Sequence, residues 1–141
     1  MVNHYGGSEG FLGWLALSPR RHVLSLGALT DTEAKALGIS ITRIELALTA
    51  YWPLAFGEAL ARVYVVHFFE GAALGDREPW HLHFHIIPRP VSFHSEWWAW
   101  NVPSASKSTE FPTVYSKTNE DFERCSQALL DYLRAAITAA A

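Results

Sequence analysis

Three histidines, His81, His83 and His85, alternate with Leu82 and Phe84, and the stretch runs on through Ile86, Ile87, Pro88 and Arg89. Period-two alternation marks a half-buried β-strand, whose successive side chains point to opposite faces. The three imidazoles therefore share one face, and Leu82, Phe84 and Ile86 share the other, which is the expected core face. At a rise of about 3.3 Å per residue, neighbouring histidines stand about 6–7 Å apart and the outer two about 13 Å. Three readings are open to such a row. A purely structural role is awkward, because adjacent imidazoles repel once protonated and want partners when buried. A metal site is the second reading. Zinc takes nitrogen ligands at about 2.0–2.1 Å, and a His-x-His pair can converge on one ion. The third histidine lies too far along the strand unless the outer rings lean inward, and a single cysteine does not complete the set. The third reading is phosphoryl or nucleotidyl transfer. A neutral imidazole attacks phosphorus, while flanking imidazoles donate to phosphate oxygens and to the leaving group. A row suits an extended polyphosphate, and such catalysis is mostly positioning and charge stabilisation.

The elements that must position this row are legible in the rest of the chain. With 141 residues, half of them hydrophobic, the chain can build one domain with a real core. A net charge of −3 does not mark a binder of nucleic acid polymers. One cysteine, Cys125, allows no internal disulfide and fits a reducing cytoplasm. No apolar run approaches the roughly 18 residues of a membrane span, and no signal peptide is visible.

Residues 1–12, with Gly6, Gly7 and Gly10, read as a short irregular arm, and 13–141 as a single domain. Gly13–Ser18 reads as a strand. Pro19-Arg20-Arg21 turns the chain; Arg20, Arg21 and Arg89 are the cations best placed to meet an anionic ligand, with solvated turn residues as the competing reading. Thr30-Asp31-Thr32-Glu33 is a capping box, starting a helix from about Asp31 to about Tyr51. Leu37, Ile41, Ile44 and Leu48 form its apolar stripe, and Pro53 with Gly57 is expected to break it. Arg62–Glu70 is the next strand, antiparallel to the histidine strand through the Gly71–Pro79 loop. The aromatics Trp97, Trp98 and Trp100 suggest a short strand or edge. Asn119 or Thr118 caps a last helix with Phe122, Leu129, Leu130, Leu133 and Ile137 on its apolar side. Cys125 reads as a packed hydrophobe.

The run HLHFHIIPR resembles the signature of the histidine triad superfamily: His, apolar, His, apolar, His, then two apolar residues. The stretch Gly13–Val23, with its Pro-Arg-Arg-His turn, followed by Leu26 and the helix start at Leu29-Thr30-Asp31, is similar to the upstream part of the same family, in the same order. The resemblance implies an α+β, histidine-triad-like fold: an antiparallel sheet of about five strands, a long helix on one face and a C-terminal helix. It implies a nucleotide hydrolase or nucleotidyltransferase in which His83 attacks the α-phosphate and forms a nucleotidyl-histidine that water or another acceptor resolves. His85 then touches the phosphate oxygens or leaving group, and His81 orients His83. Activity should fall at acid pH, where the attacking nitrogen is protonated. Plausible substrates are nucleoside phosphoramidates, dinucleoside polyphosphates and adenylylated compounds. The protein itself requires no metal or other cofactor for this chemistry, although magnesium can accompany a polyphosphate. A homodimer is expected.

The chain departs from the family pattern in three places. Trp14 stands where many relatives carry a fourth histidine that supports the first of the triad. Glu70 lies near where relatives place an amide that touches the ligand phosphate. Glu78 replaces a frequent hydroxyl three residues before His81. With Trp14, Glu70 and Arg89 as candidate ligand contacts, these departures keep a second reading alive, a nucleotide-binding module with little turnover, and a His-ligated metal protein stands third.

Overall fold

A computed structural model describes residues 1–4, 10–68, 81–98 and 101–139. The fold is α+β. Among the described residues, four strands form one antiparallel sheet: β1 (Val2–His4), β2 (Leu15–Leu17), β3 (Leu60–Val66) and β4 (Phe84–Pro90), in the order β1-β2-β4-β3. The expected count of about five is thus four, and Val2–His4 belong to the sheet instead of an irregular arm. Val2 pairs with Leu17 and His4 with Leu15, and the His4 Nε2 accepts from the Gly13 amide at 3.1 Å. That bond turns the end of β1 into a support for the entry to β2.

The histidine strand is central. It pairs with β2 through Leu15–Ile86 and Leu17–Phe84, and with β3 through Val65–Ile86 and Val66–His85. Cross-strand partners point the same way, so Leu15, Val65, Phe84, Ile86 and Pro88 share one face. Helix α1 (Asp31–Phe56) covers that face: Trp52 is fully buried, and a methyl placed on Gly13 would stand 2.7 Å from its ring and 2.9 Å from Pro88. Gly13 has φ +88°, in a turn closed by the Trp14 amide on the Phe11 carbonyl. Only glycine meets both the backbone and the space requirement there.

The capping box forms as expected, with the Glu33 amide donating to Thr30 Oγ1 and the Thr30 amide donating to the Glu33 carboxylate. The helix does not stop near Tyr51. It carries Pro53 in its last turn and ends at Gly57, in the left-handed conformation with φ 71°. The missing proline amide costs one hydrogen bond in the last turn, where the fully buried Trp52 indole anchors the helix to the core. Ile44 and Leu48 of the expected stripe are fully buried, while Leu37 and Ile41 are half-buried at its rim.

After β4 the chain makes a 3₁₀ turn at Ser95–Trp97 and a short helix α2 (Val102–Ala105). The tryptophan segment is therefore not a strand at Trp97 and Trp98, because the Trp97 and Trp98 amides bond back to His94 and Ser95. Helix α3 (Phe122–Ala139) is preceded by Asn119, whose side chain accepts from the Asp121 amide at 3.0 Å. It lies against α1, with the Tyr51 and Tyr132 rings 4.9 Å apart. Cys125 is a free, half-buried thiol. No helix among the described residues is long and apolar enough to cross a membrane.

Candidate functional site

The strand holding the row begins later than its alternation suggests. It starts at Phe84, so His81 and His83 precede the sheet and only His85 lies within it. The core side behaves as expected: Leu82 and Ile86 are fully buried and Phe84 is 8% exposed. On the other side His85 is 6% exposed, whereas His81 and His83 are half-buried. The imidazoles thus step from the rim of the sheet into its interior.

Hydrogen bonds assign each ring its tautomer. His83 Nδ1 lies 2.9 Å from the His81 carbonyl oxygen, which can only accept, so in the neutral ring Nδ1 carries the proton and Nε2 the lone pair. Trp14 Nε1, which can only donate, lies 3.0 Å from His85 Nδ1. His85 therefore accepts at Nδ1 and, when neutral, carries its proton on Nε2. The His83 and His85 rings are edge to face with centroids 4.8 Å apart, closer than the strand repeat alone would set them. Burial, with the nearby His83 and His67, lowers the His85 pKa to about 4, so the ring is neutral through the ordinary pH range.

Two further histidines border the row. His67, just past β3, places Nδ1 3.1 Å from the His83 carbonyl and stacks on Phe84 with centroids 5.2 Å apart. His22 meets His81 at 5.2 Å between centroids. The backbone joins the same two segments, since the Leu82 amide donates to the Val23 carbonyl at 2.8 Å. The turn after β2 thus does reach the histidines, but through His22.

Its arginines do other work. Arg21 forms a fork on Glu33, with Nε to Oε1 at 3.0 Å and Nη2 to Oε2 at 2.7 Å, and also donates to the Ala28 carbonyl. Arg21, followed by Thr30, holds the Glu33 carboxyl down at about 2. Arg20 and Glu33 line a cavity of about 360 Å³ between the end of β2 and the start of α1, with Leu17, Leu29 and Leu37. None of the triad histidines lines it.

The remaining candidate contacts are dispersed. Trp14 is 3% exposed and meets His85, so it supports a triad ring instead of facing a ligand, and it serves the third histidine, not the first. Arg89 lies on the same face as His85 but four residues on, about 13 Å along the strand. Its guanidinium sits 4.2 Å from the Trp98 ring centroid. Arg89 is therefore not gathered with the histidines. Glu70, Glu78 and Trp100 lie outside the described residues. Among the described residues no group of three or more His, Cys, Asp or Glu side chains is arranged to hold a metal ion.

The tie between Trp14 and His85 joins residues 71 positions apart, and no local pattern announces it. His22 had a weak signal, its place at the end of the Pro-Arg-Arg-His turn. No protein-family model, no curated protein and no solved structure matches this chain.

Proposed function

We propose that this chain is a nucleotide hydrolase or nucleotidyltransferase of the histidine-triad type, acting at the α-phosphate through a covalent nucleotidyl-His83. The observation that carries the reading is the bond from His83 Nδ1 to the His81 carbonyl. It leaves Nε2 as the nucleophilic nitrogen without a general base to deprotonate it. In the first step the Nε2 lone pair forms the N–P bond as the bond from phosphorus to the leaving group breaks, and the leaving group takes that electron pair. The imidazole keeps its Nδ1 proton on the carbonyl throughout, which spreads the positive charge that develops on the ring. In the second step water attacks phosphorus, the N–P bond returns its pair to Nε2, and a water proton passes to solvent.

His85, with Nδ1 engaged by Trp14, has Nε2–H as its donor for a phosphate oxygen. His81, through its carbonyl, orients the nucleophile. Nucleotides are the proposed ligands of this site, and neither a resident metal nor a cofactor enters the reading. The free thiol of Cys125 fits a reducing cytoplasm. A homodimer is part of the same proposal. Ile39, Leu46 and Leu54 are 52%, 66% and 80% exposed on α1, and they fall on one side of the helix.

The burial of His85 favours one rival, a nucleotide-binding module without turnover. One experiment separates the two. The protein is incubated with an adenylyl donor radiolabelled at the α-phosphate, quenched and resolved. Label that stays on the protein and disappears in His83→Ala supports the enzyme. Nucleotide binding with neither label nor product supports the module.

A further inference from the structure

We propose that Trp14 is a positioning residue that fixes His85 as a neutral Nε2–H donor, so that the site favours leaving groups that depart as stable anions over those that must be protonated. This deepens the reading above and rests on it.

The argument begins with hydrogens. Indole Nε1 has one proton and no acceptor capacity. At 3.0 Å from His85 Nδ1 it requires a lone pair there. Protonating His85 would place two N–H groups head to head in a buried contact. A histidine that cannot become an imidazolium cannot hand a proton to a departing atom and regain it; it can only lend a hydrogen bond.

The surroundings act the same way. Trp14 is 3% exposed and packs edge to face on His85 with centroids 5.7 Å apart, while Phe68 covers the ring at 5.5 Å. The titratable groups near His85 among the described residues are His83, on its own segment, and His67, at the end of β3. Both are imidazoles, whose protonation opposes a second positive charge. The β2 partner of His85 is Ala16, which carries no charge.

This has a consequence for substrates. When His83 attacks an anhydride, the P–O bond breaks and the pair leaves on a phosphate or carboxylate oxygen, stable without a proton. When it attacks an amidate or an alkyl ester, the pair leaves on nitrogen or an alkoxide, and a proton must arrive with it. Proton transfer by a positioned acid is worth about 10²–10⁴-fold, and this site lacks that contribution at His85.

The test has two arms. In the first, imidazole ¹⁵N shifts of the labelled wild-type protein are followed from about pH 5 to 8, the range in which a free imidazole titrates. His85 should stay neutral with its proton on Nε2. Titration to an imidazolium in that range, or a proton on Nδ1, overturns the proposal, and this arm requires neither a variant nor turnover. In the second arm, kcat/KM is compared for an adenylyl phosphate anhydride and an adenylyl alkylamidate. The anhydride should lead by at least about 100-fold, the lower end of what the missing acid supplies. Trp14→Phe, which keeps an aromatic ring and loses the N–H, should let His85 titrate at higher pH and narrow that gap. An amidate turned over as well as the anhydride, or an unchanged gap in folded Trp14→Phe, sinks the proposal. If neither compound is cleaved or labels His83 while the ¹⁵N shifts stay neutral, nucleotidyl transfer fails and the substrate preference fails with it, although the tautomer stands.

Discussion

At the scale of single residues, the histidines differ because their hydrogen-bond partners differ. A carbonyl on one Nδ1 and an indole on the other Nδ1 give two chemically opposite Nε2 atoms from identical side chains. His85 also links the site to stability. Its folded pKa of about 4 lies below the ordinary 6.5, so the unfolded chain binds the proton first as pH falls. Above about pH 6.5 His85 costs nothing; between there and about pH 4 the fold loses stability, reaching roughly 2–3 kcal/mol from this group by pH 4.5. Urea melts at pH 7 and 4.5 should show this loss, and His85→Gln should lose less than wild type over the same interval. Equal losses would contradict the assigned cause. The alternating pattern made the three histidines easy to find. What it could not disclose was their division of labour, because Trp14 is distant in sequence and its indole has no signature of a ring partner.

At the scale of elements, local chemistry was readable where it was local. Thr30 and Glu33 announce the start of α1 because the box closes within four residues. Thr30→Ala should therefore cost about 1 kcal/mol in a thermal or chemical melt. The C-terminal end lies beyond the Pro53 signal because the helix tolerates Pro53 once Trp52 is anchored against Gly13. The alternation also runs past the strand itself: it records which side chains are buried, and at Leu82 the backbone pairs with Val23 in the turn after β2, ahead of the strand start at Phe84. At Gly13 the two scales meet. Gly13→Ala introduces a Cβ 2.7 Å from the Trp52 ring at φ +88°. Backbone strain and overpacking together should cost about 2–4 kcal/mol. The same change should disturb the His85 ¹⁵N shifts, since Gly13 sets the entry of Trp14. A variant as stable as wild type would mean that the turn adapts freely.

At the scale of the whole molecule, α1 is apolar on two sides, one against the sheet and one facing out. The inner stripe was visible in the heptad-like spacing of Leu37, Ile41, Ile44 and Leu48. The outer one, Ile39, Leu46 and Leu54, emerges only when burial is known. If these residues join two copies, sedimentation of the wild type should give a dimer, and Leu46→Lys with Leu54→Lys should give a folded monomer. A wild-type monomer at concentrations well above micromolar would remove the dimer from the proposal.

The far end of the central strand is closed by a second set of polar ties. Trp52 Nε1 donates to the Tyr115 hydroxyl at 3.3 Å, and that hydroxyl donates to Glu58 Oε1 at 2.5 Å. Glu58 also accepts from the Ser92 amide and hydroxyl, both at 3.1 Å. These bonds fasten the end of α1 to the turn that follows β4. The strand is thus anchored at its start by the Trp14 indole on His85 and beyond its end by a phenol–carboxylate clamp. In deuterium oxide its amides should be among the last to exchange, opening only when the entire domain unfolds, whereas those of the peripheral strand β1 should exchange through partial openings.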